Sequence, residues 1–206
     1  MHLNNEGDKV GGRLTHFREA WIASPWALGV VSQGLGWRWS RKSPFKRKRP
    51  FLQPRSAELD EYVSKMLSKD TIERCHFLAF QGRLFSVPKK DSSERRIILD
   101  LSALNKSIPC PKFKMTTIAQ IRSSLPKGGV TCSLDLRDAY WHVPINPRFR
   151  PYLGFRLGRK SYRFKVMPFG LNIAPRVFTK LTKVIIKELR LAGILIWAYL
   201  DDVDLG

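Results

Sequence analysis

The chain has 206 residues and a formal charge of +20, from 37 Lys plus Arg against 17 Asp plus Glu, and its 43% hydrophobic content suits a packed core in one large domain, or one domain with an arm. That charge selects a polyanionic partner, because neutralising phosphates releases condensed counterions. A membrane span is excluded, since the longest strongly apolar run, Ala192 to Leu200, falls far short of roughly 20 residues; no signal peptide is visible, and the scattered Cys75, Cys110, Cys132, His2, His16, His76 and His142 predict no zinc site and fit a reducing compartment.

In chain order, the first dozen residues, rich in Asn, Gly and charge, read as a loose terminus. Thr15 to Trp39 interleaves Phe17, Trp21, Trp26, Trp37 and Trp39 with Arg18 and Arg38, a mixture that either docks onto a folded body or stacks on unpaired bases. Arg41 to Pro50, with six basic residues and two prolines, predicts an extended, solvated connector, with phosphate contact or nuclear import as alternative roles. Behind Pro54 and a Ser56 cap, the spacing of Leu59, Tyr62, Val63, Met66 and Leu67 predicts a packing helix over 56–68.

Short strands follow at Phe77 to Phe80, Arg83 to Val87 and Arg95 to Leu99, with turns at Gln81-Gly82 and Asp91-Ser92-Ser93. Thr116 to Leu125 predicts a short helix closed by Pro126 and Gly128-Gly129. Val130 to Leu134 predicts a strand that delivers Asp135. Tyr152 to Leu157 and Ser161 to Phe164 predict a hairpin around Gly158, and Ala174 to Leu191 a helix with Pro175 in its first turn and Val177, Phe178, Leu181, Val184, Ile185 and Leu189 on one face. A last apolar run, Ile194 to Leu200, ends in Asp201-Asp202.

The acids carry the chemistry. Asp135 and the Asp201-Asp202 pair each follow a short apolar run, so two such strands side by side converge their carboxylates. Clustered carboxylates repel one another unless cations intervene, and hard oxygen donors suit Mg²⁺, which keeps its other positions for water and phosphate. That is the arrangement of two-metal phosphoryl transfer.

Leu134-Asp135-Leu136-Arg137-Asp138-Ala139-Tyr140 and Tyr199-Leu200-Asp201-Asp202, with Met167-Pro168-Phe169-Gly170-Leu171, Ala174-Pro175 and Phe178 between them, resemble motifs of the reverse transcriptases of retroelements. Val87-Pro88-Lys89-Lys90-Asp91, Arg95-Arg96-Ile97-Ile98-Leu99-Asp100 and Leu104-Asn105-Lys106 are similar to that family's fingers hairpin. Phe17-Arg18-Glu19-Ala20-Trp21, Ser24-Pro25-Trp26 and Val31-Ser32-Gln33-Gly34 resemble the segment preceding the polymerase in the DIRS-like, tyrosine-recombinase retrotransposons.

The resemblance implies an α/β right-hand polymerase fold with fingers and an incomplete palm, the thumb absent, divided into a basic Trp-containing arm and linker over 1–55 and fingers/palm over 56–206. It implies an RNA-directed DNA polymerase adding deoxynucleotides to the primer 3′-hydroxyl on an RNA or DNA template. Two Mg²⁺ ions, or Mn²⁺ in their place, are held by Asp135, Asp201, Asp202 and the backbone carbonyl of Leu136. Lys89 and Arg96 clamp the incoming triphosphate, and the backbone amides of Asp138 and Ala139 cradle it, while the Asp138 side chain faces a local structural partner. Tyr140 lies under the sugar and leaves no room for a 2′-hydroxyl. Phe169, where retroviral relatives carry Gln, and Gly170 contact template and nucleotide.

The sequence ends four residues after Asp202, so the second strand of the acid hairpin is expected to be barely begun, and Asp204 stands where relatives usually have an apolar residue. The expected molecule is thus a fragment of a retroelement polyprotein, acting in cytoplasm or nucleus, inactive and poorly soluble alone. The alternative is a non-enzymatic, basic nucleic-acid-binding remnant.

Overall fold

The computed structural model describes residues 9–40, 51–88, 95–114, 117–124, 132–199 and 202–205, with strand residues 95–96, 132–135, 198–199 and 202–205 described through their backbone. The basic run Arg41 to Pro50 lies outside them. After a 3₁₀ segment, Arg13–Trp21, come α1 (Pro25–Gln33), α2 (Ala57–Ser68), β1 (Ile72–Arg74), β2 (Gln81–Pro88), β3 (Arg95–Asp100), α3 (Ser102–Asn105) and α4 (Ile118–Ser124). Then follow β4 (Cys132–Asp135), a 3₁₀ turn at Ala139–His142, β5 (Gly154–Leu157), β6 (Lys160–Phe164), α5 (Ala174–Leu191), β7 (Ile196–Tyr199) and β8 (Asp202–Leu205). The strands form two sheets, ordered β1-β6-β5-β2-β3 and β4-β8-β7.

Local chemistry sets the helix limits. The Ser56 hydroxyl accepts the Leu59 amide at 3.3 Å and starts α2, whose Val63 and Met66 are buried. Ser24 caps α1 in the same way, accepting the Ala27 amide at 3.4 Å ahead of Pro25. In α5 the predicted face is buried at Val177, Phe178 and Leu181, while Ile185 is 39% exposed, so the apolar stripe loses cover toward its C-terminal half.

Three expectations need correction, the first being the turn at Gln81-Gly82, since both residues lie inside β2 and pair with Gly154 and Phe155 of β5. Phe77 to Phe80 is not a strand, because the Ala79 and Phe80 amides both donate to the Pro151 carbonyl (2.8 and 3.2 Å). Leu78 fills the space beside Gly154, where an added Cβ would lie 2.0 Å from it. The sheet instead takes β1, with Ile72 opposite Phe164. The end of the first dozen residues is not loose either: Val10 is buried, and the Gly11 and Gly12 amides donate to the carbonyls of Lys69 (3.1 Å) and Trp141 (2.9 Å).

The rest of the N-terminal segment packs on the same body. Trp21, Ala27, Val31 and Leu35 belong to one core with Leu153, Phe155 and Met167. Leu35 bridges Ile145, and the Trp37 and Trp39 rings stand 4.5 Å from Phe149 and 4.8 Å from Tyr152, so these aromatics are used against the protein itself. Among the described residues no helix is long and apolar enough to cross a membrane.

Candidate active site

The smaller sheet sets two of the acids, Asp135 and Asp202, opposite each other. β8 runs antiparallel between β4 and β7, with Asp135 opposite Asp202 and Tyr199 opposite Asp202. Directly opposed residues share a face, with Cα atoms about 4.5–5.5 Å apart. Asp201 lies outside the described residues; with Leu200 it joins β7 to β8. The expected neighbours were the two apolar runs, but β4 and β7 run parallel and do not touch as a ladder. A two-residue connection folds β8 back antiparallel on β7, and β8 fills the place between them. Nor is β8 barely begun, since all four of its residues pair on both sides.

The rows of this sheet separate by chemistry. Leu134, Val203 and Ala198 form one row and Cys132, Leu205 and Ile196 another, both apolar and on one face. Asp204 pairs with Ser133 and Trp197 and so shares the other face with Asp135 and Asp202.

The turn after β4 holds the nucleotide-site candidates. Asp138 adopts φ 57° and opens the 3₁₀ turn, and its carboxylate pairs with the Lys69 ammonium at the end of α2. Lys69 is buried, and its ammonium also lies 5.4 Å from the Trp141 ring centre. The Ala139 amide donates to the Leu136 carbonyl at 3.2 Å, so the two backbone groups assigned to phosphate and cation satisfy each other in this state. Tyr140 is half-buried, its ring 5.1 Å from Phe169 and 5.4 Å from Phe178.

Gly170 has φ 94°, and a Cβ there would lie 2.7 Å from the Leu99 carbonyl oxygen of β3. Asn105 holds this approach by donating to the Gly170 carbonyl at 2.7 Å and accepting the Asn172 amide at 3.0 Å. Asn172 in turn donates to the carbonyls of Asn105 (3.2 Å) and Ile108 (3.1 Å). The β3–α3 segment is thereby fastened to the loop that carries Phe169. Arg96, opposite Val87 on that hairpin, is three residues from Leu99, about 10 Å along the strand. Lys89 lies outside the described residues.

Residues 87–205 match the family described as Reverse transcriptase (RNA-dependent DNA polymerase). The chain belongs to the reverse transcriptases. Protein P of Duck hepatitis B virus (strain China) is 29% identical over 127 residues, which cover 59% of this chain and 16% of that protein. The genome polyprotein of Petunia vein clearing virus (isolate Shepherd) is 30% identical over 122 residues, 58% of this chain and 6% of the polyprotein. This reverse transcriptase chain therefore spans a small part of either relative. By family it is an RNA-directed DNA polymerase domain, of the nucleotidyltransferase class.

Reverse transcriptases generally use divalent metal ions, and the donor types here are compatible with them: two opposed carboxylate residues, a third acid in the connecting pair, and a backbone carbonyl, all hard oxygens. Among the described residues alone, no three His, Cys, Asp or Glu gather. Leu136, Arg137, Ala139, His142, Phe178 and Ile185 are among those lining a mainly apolar cavity of about 310 Å³.

Lys69 escaped sequence reasoning, since nothing in its spacing separates it from the other cations of so basic a chain. Lys69→Met leaves the Asp138 carboxylate unpaired at 21% exposure and is expected to cost about 2 kcal/mol, measured by urea unfolding. Adding Asp138→Asn should recover part of that loss, and purely additive losses would show the pair to be energetically idle.

Proposed function

We propose that Asp135, Asp201 and Asp202 form the nucleotidyl-transfer centre of a DNA polymerase that copies RNA or DNA, joining deoxynucleotides to a primer 3′-hydroxyl. The observation that carries this is the register of Asp135 against Asp202, one turn away from the Tyr140–Phe169 ring pair. Two Mg²⁺ ions, with Mn²⁺ as a substitute, would be held by the three aspartates and the Leu136 carbonyl; bound there they supply activation of the 3′-hydroxyl and charge neutralisation of the triphosphate.

The chain's own groups do the positioning. Lys89, as a point charge, and Arg96, as a planar fork, hold the triphosphate from the fingers. The amides of Asp138 and Ala139 cradle phosphate oxygens once the turn yields its internal hydrogen bond. Gly170 and Phe169 contact base and template, and Tyr140 excludes the 2′-hydroxyl. The α-phosphorus is attacked in line and pyrophosphate leaves.

Primer extension on poly(rA)/oligo(dT) with Mg²⁺ or Mn²⁺ tests the proposal, comparing this chain with one that includes the downstream reading frame. Synthesis by neither would leave the alternative, a basic nucleic-acid-binding remnant, as the better account. Tyr140→Ala is expected to raise ribonucleotide incorporation relative to deoxynucleotide about 10²-fold, read as a ratio of kcat/KM values, while Tyr140→Phe keeps the ring and the discrimination. Unchanged sugar selectivity in the alanine variant would remove Tyr140 from this role.

The finer placement, among DIRS-like elements, rests on the 17–34 segment. Within it Gly34, at φ 85° and with the Asn146 amide 2.3 Å from where a Cβ would stand, has a structural reason to be glycine. Residues 1–55 are proposed as an arm attached to the fingers and palm, with Arg41 to Pro50 a candidate import or phosphate-contact run. Action in cytoplasm or nucleus follows from the same proposal.

A further inference from the structure

The cavity beside the turn after β4 is closed by three stretches far apart in sequence: the 3₁₀ segment through Trp21, the turn through Leu136, Arg137 and Ala139, and α5 through Leu181 and Ile185. Burial grades along it. Trp21, Ala139 and Leu181 are buried and make the floor, whereas Leu136 and Ile185 are 37% and 39% exposed and, with the exposed Arg137, make the mouth. Its volume of about 310 Å³ lies at the lower end of ligand clefts, which run from about 300 to 1,000 Å³. At a water's share of roughly 30 Å³ for each non-hydrogen atom, it admits a body of about ten such atoms.

An apolar hollow is ordinarily a packing gap, and the polar groups of this one point to a ligand. Trp21 is 2% exposed, and its indole N–H is buried with no hydrogen-bond partner among the described residues. A buried donor is costly to leave unmade, so this one favours a ligand that brings an acceptor. The Trp37 and Trp141 indoles are in the same condition, but neither residue lines this cavity.

At the mouth the polarity is cationic. Arg137 has no ion-pair partner among the described residues, and no Asp or Glu lines the cavity. His142, also on the wall, has its Nε2 3.1 Å from the Arg137 carbonyl oxygen, a bond that fixes the Arg137 backbone. Between the two ends the Trp21 and Phe178 rings suit a flat, rigid body, which loses little freedom on binding.

We propose that this cavity binds a small aromatic carboxylate. A hydrogen-bond acceptor at its inner end takes the Trp21 N–H, the ring fills the apolar wall, and the carboxylate meets Arg137 at the mouth. The site requires no turnover and stands whether or not the chain catalyses.

The test is a titration of the isotope-labelled whole chain with para-acetylbenzoate, followed by nitrogen–proton NMR of the indole groups. Binding should saturate at roughly millimolar concentration or below. Of the six tryptophan indole signals, the one that shifts should be the one that Trp21→Phe removes. Two probes of equal size dissect the ends: para-isopropylbenzoate lacks the inner acceptor and para-acetylbenzamide lacks the charge, and each should bind about three- to tenfold more weakly. Arg137→Gln should weaken para-acetylbenzoate by a similar factor and leave para-acetylbenzamide unchanged. Arg148→Gln, which removes an exposed cation elsewhere, should change neither. Equal affinity for all three compounds would reduce the cavity to an unselective apolar gap and overturn the proposal. So would shifts that do not saturate, a shift confined to another indole, or equal losses in the two arginine variants. If Trp21→Phe does not fold, the comparison at the exposed Arg137 still decides, and unchanged affinity of Arg137→Gln for para-acetylbenzoate would equally overturn it.

Discussion

Asp135→Asn is expected to leave primer extension undetectable, a fall of at least about 10³-fold, in the version of the protein that extends a primer. The amide keeps the shape of the side chain and removes one charge from a site where Asp135 stands opposite Asp202, with Asp201 in the connecting pair. Loss of several kcal/mol of transition-state stabilisation corresponds to that factor. Stability should move the other way. Without cations, opposed carboxylates repel, so the variant should melt at or above the parent temperature. Mg²⁺ or Mn²⁺ should raise the melting temperature of the parent, by linkage to the folded state, and raise that of the variant less. Wild-type synthesis by the variant, or equal stabilisation of both proteins by the ion, would take Asp135 out of the site.

Gly170→Ala should be the most damaging of the conservative changes. At φ 94° any L side chain is strained, and its Cβ would meet the Leu99 carbonyl, a backbone atom, at 2.7 Å. Left-handed strain of about 1–2 kcal/mol and overpacking of about 1–3 kcal/mol together give a loss near 3 kcal/mol. For a chain of this size that lowers the melting temperature by roughly 6–12 °C. The relief available is for the loop to move off β3, which breaks the Asn105 bond to Gly170 and shifts Phe169 from Tyr140, so the KM for nucleotide should rise as well. Gly29→Ala is the control. It sits inside α1 with nothing within 4 Å of the added Cβ, and should stabilise by about 0.5–1 kcal/mol. If both variants melt alike, the close approach at Gly170 is not a constraint.

Much of the local structure was legible in the residues. The span of α5, the Ser56 cap, the β2–β3 hairpin and the β5–β6 hairpin around Gly158 follow from periodicity and turn chemistry, which depend on neighbours a few positions away. The family motifs were likewise legible as ordered strings. Residues 77–80 misled for a long-range reason: their apolar content suited a strand, but Pro151 took their amides and Gly154 made room for Leu78.

The sequence by itself determined that acids follow apolar strands, that an aromatic stands five residues after the first of them, and that the chain carries an excess of positive charge. Only the tertiary structure decided that β8 lies between β4 and β7 and sets Asp135 against Asp202, that Lys69 neutralises Asp138, and that Asn105 fastens α3 to Gly170. The reason is physical. Period and capping are local properties of the backbone, whereas strand order and the partner of a buried charge are chosen by competition among groups distant in sequence, all seeking the same ladder edge or counter-charge.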